Sequence, residues 1–319
     1  MLDSLRFVQG AIKKDAPAAL THFKIANGRI TGCNGQLVLS APIPLDIEAL
    51  PKADKFIAAI SACKEETAIS LTKTGRLSIK SGAFQALIEC TTEQYPDTSP
   101  IGEFVKPEGG FIHALKTLQP FIGTDPNPAR AWSNGILLKG KSAFATNNII
   151  LVEYWLGYEF PCAVNLPAAA VKELVRIKEE PQQLQVARNE LTCHFSGNRR
   201  LQTLLLDTQW PELSGILDKP HAAKPLPPGF YNALNSVAEL SSDNKIHINR
   251  TGISTGTDDT SGAHVSMPIA CEHYFECHAK FLQMLEGVAD TFDFGNHNKA
   301  ALWFAAGKPI RGAILGMRG

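Results

Sequence analysis

The sequence predicts an α+β fold made of three tandem units, each with two helices packed on antiparallel sheets. Three observations predict it. A proline, a Ser-Gly step and an aromatic-proline corner recur in the same order in the first and second thirds of the chain. A similar amphipathic opening helix stands at the head of each third. Between the helices the apolar residues alternate in the strand manner, broken by turn residues.

The repeat is quantitative. Pro51 precedes a helical stretch in which Phe56, Ile57 and Ile60 share a face, Ser81-Gly82 interrupts strands, and Tyr95-Pro96-Asp97 follows. Pro167 precedes Val171, Leu174 and Val175 at helical spacing, Ser196-Gly197 interrupts strands, and Trp210-Pro211-Glu212 follows. Proline to glycine is 31 residues in one copy and 30 in the other, and glycine to aromatic is 13 in both. The opening helices carry Leu2, Leu5, Val8 and Ile12 in copy one, Phe111, Ala114 and Leu115 in copy two, and Phe230, Ala233 and Leu234 in copy three. The third copy continues with a helix bearing Phe281, Leu282 and Leu285, after which Leu302, Phe304 and Gly307 parallel Leu191, Phe195 and Gly197.

Turn chemistry marks the hairpins. Asn27-Gly28 lies between Phe23/Ile25 and Ile30, and both turn residues tolerate positive φ. Lys73-Thr74-Gly75 and Arg188-Asn189-Glu190 separate further strand pairs. Unit boundaries are expected near Ile101–Gly110 and in the proline-rich Lys219–Gly229, giving units at 1–105, 106–218 and 219–319.

Composition narrows the function. With 31 basic and 31 acidic residues the chain is formally neutral, which argues against attachment to nucleic acid through a whole-surface positive field but leaves room for a local basic lining. No apolar run reaches the roughly 18 residues of a membrane span. The first residues lack a signal pattern, and the seven cysteines are irregularly spaced in apolar alternation, as in Leu191-Thr192-Cys193-His194-Phe195. Reduced thiols and a cytoplasmic location are expected.

Catalytic patterns are missing. Cys271, His273, Cys277 and His278 match no common zinc spacing, and Asp258-Asp259 reads as a hairpin tip in a Thr/Ser/Gly/Asp-rich stretch. There is no phosphate-binding glycine loop, no nucleophile elbow and no paired-histidine metal helix. No metal, no cofactor and no enzyme activity are expected.

Four segments of the second unit, in order, carry a family resemblance: Asn134-Gly135-Ile136-Leu137-Leu138, Ala145-Thr146-Asn147-Asn148, Val164-Asn165-Leu166-Pro167 with its helix, and Trp210-Pro211-Glu212. Together with the threefold repeat and the C-terminal residues Ile314 to Gly319, they resemble the bacterial-type DNA polymerase sliding clamp, the processivity subunit. The resemblance spans essentially the whole chain. It implies a head-to-tail homodimer of six units in a ring, helices lining the hole, that encircles duplex DNA without reading sequence and tethers a polymerase.

The resemblance also implies sites. Arg6, Lys13, Lys14, Lys52, Lys55, Lys116, Lys172, Arg176, Lys178 and Lys280 lie on or beside the helices and are its DNA-facing candidates. The bland alternative is a solvated polar helix face. Thr146, Asn147, Asn148, Leu151, Pro211, Ile216, Leu315 and Met317 match the groove that receives peptide tails from the polymerase and the clamp loader; the alternative for Pro211 and Ile216 is corner packing. Asn147-Asn148 leads into Ile149-Ile150 where the family usually has Asp-Gly and a basic residue. Gly316 replaces a common proline, and Gly319 an apolar end, so a less charged rim is expected. Arg130 and Trp132 precede the second unit's strand, where Trp132 reads as a half-buried strand-edge residue or a base-stacking one. Two rival readings stay open: a clamp-fold platform or competitor (checkpoint, transcription-accessory or clamp-inhibiting), and an unrecognised enzyme.

Overall fold

The computed structural model describes residues 1–13, 16–218, 222–256, 262–271, 274–295, 301–307 and 309–315. Lys14, Asp258, Asp259, His273, Gly316, Met317 and Gly319 lie outside them. The chain is α+β with several antiparallel sheets. Its contacts cluster into two compact units. The first is Met1–Ile112 with Phe160–Asp207; the second is His113–Glu159 with Thr208–Gly319.

In the first unit a seven-stranded sheet runs in the order Lys24–Ala26, Arg29–Cys33, Leu37–Pro42, Arg199–Leu204, Glu190–Phe195, Gln183–Val186, Glu103–Val105. The Asn27-Gly28 expectation holds. The two residues have φ of 52° and 66° and join Ala26 to its partner Arg29 in a two-residue turn. The central ladder pairs Ser40 with Arg200 and Leu39 with Leu201, so strands from the first and second thirds of the chain make one sheet. That ladder gathers into one unit what the sequence repeat divides. A three-stranded sheet, Ala68–Leu71, Leu77–Ser81 and Phe84–Ile88, completes the unit.

The helix Leu2–Val8 packs on the seven-stranded sheet. Leu2–Val8 buries Leu5, Phe7 and Val8 and packs on the strand Leu37–Pro42 and the helix Ala53–Ala62. Ala53–Ala62 buries Phe56 and Ile60, as its spacing predicts, and leaves Ile57 half-buried. Ala168–Ile177 starts directly after Pro167, which cannot donate an N–H and so suits the first-turn boundary. It stops at Lys178, in the left-handed conformation with φ of 59°.

The second unit repeats the plan. Seven strands run Gly135–Lys139, Ser142–Thr146, Ile150–Trp155, Ile310–Leu315, Ala301–Ala306, Thr291–Phe292, Lys224–Pro225. Here Leu151 pairs with Ala313 and Glu153 with Arg311. A four-stranded sheet follows the order His264–Ser266, Gly252–Ser254, Lys245–Asn249, Phe275–His278. The helices Phe230–Ala238 and Ala279–Gln283 pack together, with Gln283 Nε2 donating to Asn235 Oδ1 at 3.0 Å.

The strand registers shift one sequence parallel. Ala306 opposite Ile310 corresponds to Phe195 opposite Arg199, so Phe304 corresponds to Cys193 and not to Phe195. The apolar alternation survives a two-residue slip, which is why the sequence alone did not fix the match. None of the seven cysteines forms a disulfide, and burial pushes the thiols of Cys193 and Cys277 up. Among the described residues no helix is long and apolar enough to cross a membrane.

Candidate functional site

The groove candidates that are described all fall in the second unit. Their anchor is the turn that joins Ser142–Thr146 to Ile150–Trp155. Asn147 Oδ1 accepts from the N–H groups of Ile149 at 3.1 Å and Ile150 at 2.8 Å, and Thr146 Oγ1 accepts from Asn148 N–H at 3.0 Å. Asn148 sits at φ of 69°, a conformation asparagine tolerates better than most residues. Its Nδ2 donates to Ser133 Oγ at 3.3 Å. The turn therefore closes with asparagine, not glycine, at its left-handed position.

Beside the turn lies an apolar cluster. Ala301, Trp303 and Ala313 are buried, with Ile216 and Leu315 packed half-exposed against them. Trp303 Nε1 donates to the Ile216 carbonyl at 2.9 Å, and Leu315 N–H donates to Ile149 O at 2.6 Å. The second bond ties the cluster to the Asn147 turn. Leu151, 2 % exposed, sits in the ladder between Thr146 and Ala313. The structure thus brings Thr146, Asn147, Asn148, Leu151, Ile216 and Leu315 together. Pro211 is exposed just before the short helix Ser214–Leu217 that carries Ile216. Half-buried apolar side chains against a rigid turn form the kind of surface that takes a linear peptide.

Two features of this site escaped the sequence reading. Trp303 is central to the cluster, and its alternation with the core residues Leu302 and Phe304 was the available signal. Next to it, Arg311 Nε donates to Glu153 Oε2 at 2.5 Å and its Nη2 lies 3.1 Å from Asp218 Oδ1. Burial pulls the Arg311 guanidinium down, but the bonds and charges of Glu153 and Asp218 outweigh it and hold the group above its ordinary value.

Trp132 is not on a strand edge. It lies in the 3-10 helix Pro128–Ser133 and packs edge-to-face on Trp210, ring centres 5.0 Å apart. Arg130, in the same helix, pairs with Asp125 at 3.4 Å.

The described DNA-facing candidates are all exposed. Arg6, Lys13, Lys52, Lys55, Lys172, Arg176 and Lys178 belong to the first unit, Lys116 and Lys280 to the second. Arg176 differs from the rest. Its Nε and Nη2 donate to Glu173 at 2.9 and 2.5 Å, and Nη2 also reaches Phe7 O at 3.3 Å. The hydrogen bonds it donates to the Glu173 carboxylate hold its guanidinium above the ordinary value. Its charge is compensated, and the residue joins the helix Ala168–Ile177 to Leu2–Val8. Arg6 lies 3.9 Å from Asp3 in an exposed pair of little weight.

No family model matches the chain, and no curated protein matches it. Solved structures do. The DNA polymerase sliding clamp from Bacillus subtilis superposes with a TM-score of 0.81 at 15% identity, covering 100% of this chain and 97% of that one. The DNA polymerase III subunit beta from Pseudomonas aeruginosa gives 0.82 at 14%, with the same coverage. The Helicobacter pylori beta clamp bound to DNA ligase peptide gives 0.78 at 16%, again over 100% and 97%. Along its whole length this chain has the fold of the bacterial DNA polymerase sliding clamps.

Proposed function

We propose that the chain is a DNA sliding clamp: three units, 1–105, 106–218 and 219–319, that close with a second copy into a six-unit ring around duplex DNA. The observation that carries this reading is the pattern of paired and open strand edges. Within the chain, Leu37–Pro42 pairs with Arg199–Leu204, and Ile150–Trp155 pairs with Ile310–Leu315. By position in their sheets, the third such couple is His264–Ser266 and Phe84–Ile88. Each of these ends its own sheet, four-stranded and three-stranded respectively. Open edges invite a partner strand. Pairing one copy's Phe84–Ile88 with the other copy's His264–Ser266, twice, leaves neither edge open and closes the assembly.

The exposed lysines on the helices suit such a ring, because point charges on flexible stems hold phosphates without choosing a base. The Ile216–Leu315 cluster suits an apolar peptide tail, and the H. pylori beta clamp of similar fold is bound to a DNA ligase peptide. A polymerase and a clamp loader are the partners this reading gives it. Tethering requires no catalytic residue.

Topology supplies the test. The protein loaded on closed circular duplex is expected to stay bound, and to be lost when the circle is cut to a linear molecule with free ends. Equal retention on both forms would refute encirclement. Replacing Ile216 and Leu315 with serine is expected to weaken polymerase-tail binding at least tenfold while the circular dichroism spectrum is unchanged.

A further inference from the structure

The two large sheets carry the same three-residue constellation with its charges rearranged. The registers align Arg29, Ser40 and Arg200 in the first unit with Ser142, Glu153 and Arg311 in the second. In the second unit the trio is satisfied internally. Ser142 Oγ donates to Glu153 Oε1 at 2.6 Å, and Arg311 Nε donates to the other oxygen of that carboxylate.

In the first unit the carboxylate is missing and a second cation has been added. Arg29 Nε donates to Ser40 Oγ at 3.1 Å and its Nη2 to Asn198 O at 2.9 Å. Arg200 gives one hydrogen bond, from Nη2 to Thr98 O at 3.1 Å; its Nε is buried and bonds nothing. Every acceptor is a neutral oxygen, and among the described residues neither guanidinium has an acidic partner. The counterpart of Arg200 Nε is the very atom that binds Glu153 in the second unit. Both arginines are half-buried. Burial, then the charge of Arg200, pulls Arg29 below its ordinary value, and burial does the same to Arg200. Two desolvated cations with untaken donors form the arrangement that receives a planar anion in bidentate fashion.

We propose that Arg29 and Arg200, which flank Ser40 on its two neighbouring strands, form a carboxylate-binding site on the first unit's sheet, filled from outside the fold where the second unit fills its own. The carboxylate comes either from a free small acid or from an acidic side chain of a protein segment, and one experiment separates the two.

The full chain is titrated calorimetrically with succinate and with a capped Asp-Glu-Asp tripeptide. At least one probe is expected to bind and to raise the melting temperature. A peptide tenfold tighter than succinate assigns the site to a protein segment; equal affinities assign it to a free acid. R200Q is expected to weaken binding at least tenfold. S40E, and the double variant R29S/S40E that copies the second unit's trio, are expected to abolish it without lowering the melting temperature, because the internal carboxylate then occupies the site. The proposal is overturned if the wild-type chain binds neither probe, or if S40E binds as the wild type does.

Discussion

Asn34 and Asn147 build the same turn at two places in the chain. Asn34 Oδ1 accepts from Gln36 and Leu37 N–H at 3.0 and 2.8 Å, as Asn147 Oδ1 accepts from Ile149 and Ile150. Leu204 N–H then donates to Gln36 O as Leu315 N–H does to Ile149 O. What surrounds the two turns differs. Where the second unit has Ala301 and Ala313, the first has Glu190 and Gln202, hydrogen-bonded to each other at 3.1 Å, and Glu190 also accepts from Ile101 N–H. The turn and its backbone contact are duplicated, but an apolar cluster lies beside the second unit's turn and a polar pair beside the first unit's.

Asn147→Ala removes the two hydrogen bonds that the Asn147 side chain accepts in the turn. At about 1 kcal/mol net for each bond, the cost is about 2 kcal/mol. Urea unfolding is expected to show that loss, and Asn34→Ala a similar one. Stability unchanged in Asn147→Ala would mean the side chain does not hold the turn.

Legibility in the sequence followed distance along the chain. The Asn27-Gly28 hairpin was readable because positive φ at two adjacent residues is a local demand. The helix faces of Phe56/Ile60 and Val171/Leu174 were readable by period. Thr146, Asn147 and Asn148 were found through a matching segment, and the structure gives the turn its reason. By contrast, Arg29, Ser40 and Arg200 meet only because strands some 160 residues apart pair in one register, and no local pattern announces that. Glu173 was missed likewise: a carboxylate on a helix face reads as solvated until a neighbouring helix covers it.

Gly10 makes that cover possible. A Cβ there would stand 2.0 Å from Glu173 Oε1, an atom pinned by Arg176 and not free to swing away. Gly10→Ala is expected to cost about 1–3 kcal/mol by overpacking. Combined with Glu173→Ala, the two costs should add to less than their sum, because each relieves the other. Strict additivity in a double-mutant cycle would show that the two sites do not touch.

Leu87 is 52 % exposed on Phe84–Ile88, the open edge assigned to ring closure. Leu87→Lys is expected to leave the unfolding free energy within about 0.5 kcal/mol, as at an ordinary surface site. It should also leave the chain a monomer at micromolar concentration where the wild type is proposed to be a dimer, since a charge on an edge strand blocks pairing. Light scattering distinguishes the masses; an unchanged dimer would move the interface elsewhere.

His194 should make the first unit acid-sensitive. Its ring faces Arg200, Arg29, the Phe104 ring at 5.9 Å and Gln185, to whose Oε1 its Nε2 donates at 3.2 Å. Burial first, then the two arginines, lowers its pKa below the ordinary value of 6.5. The unfolded chain therefore takes up the proton more readily. The stability this neutral ring contributes is present above pH of about 6.5 and is lost as pH falls below it. Between pH 7 and 5 the wild type is expected to lose more stability than His194→Gln; equal losses would assign the acid sensitivity to other groups.

Lys172 and Arg176 sit one helical turn apart, yet they should behave differently on DNA. Lys172 is exposed and has no acidic partner among the described residues, whereas Arg176 shares its charge with Glu173. A lysine that neutralises one phosphate contributes about 0.9 to the slope of log K against log salt. The proposed dimer carries two such lysines, so Lys172→Ala is expected to flatten that slope by about 1.8 on closed circular duplex. The double variant Glu173→Ala/Arg176→Ala removes a neutral pair and should leave the slope unchanged. If the double variant flattens the slope as much as Lys172→Ala does, Arg176 contacts phosphate in spite of its carboxylate; if Lys172→Ala leaves it unaltered, the exposed face of this helix does not meet DNA.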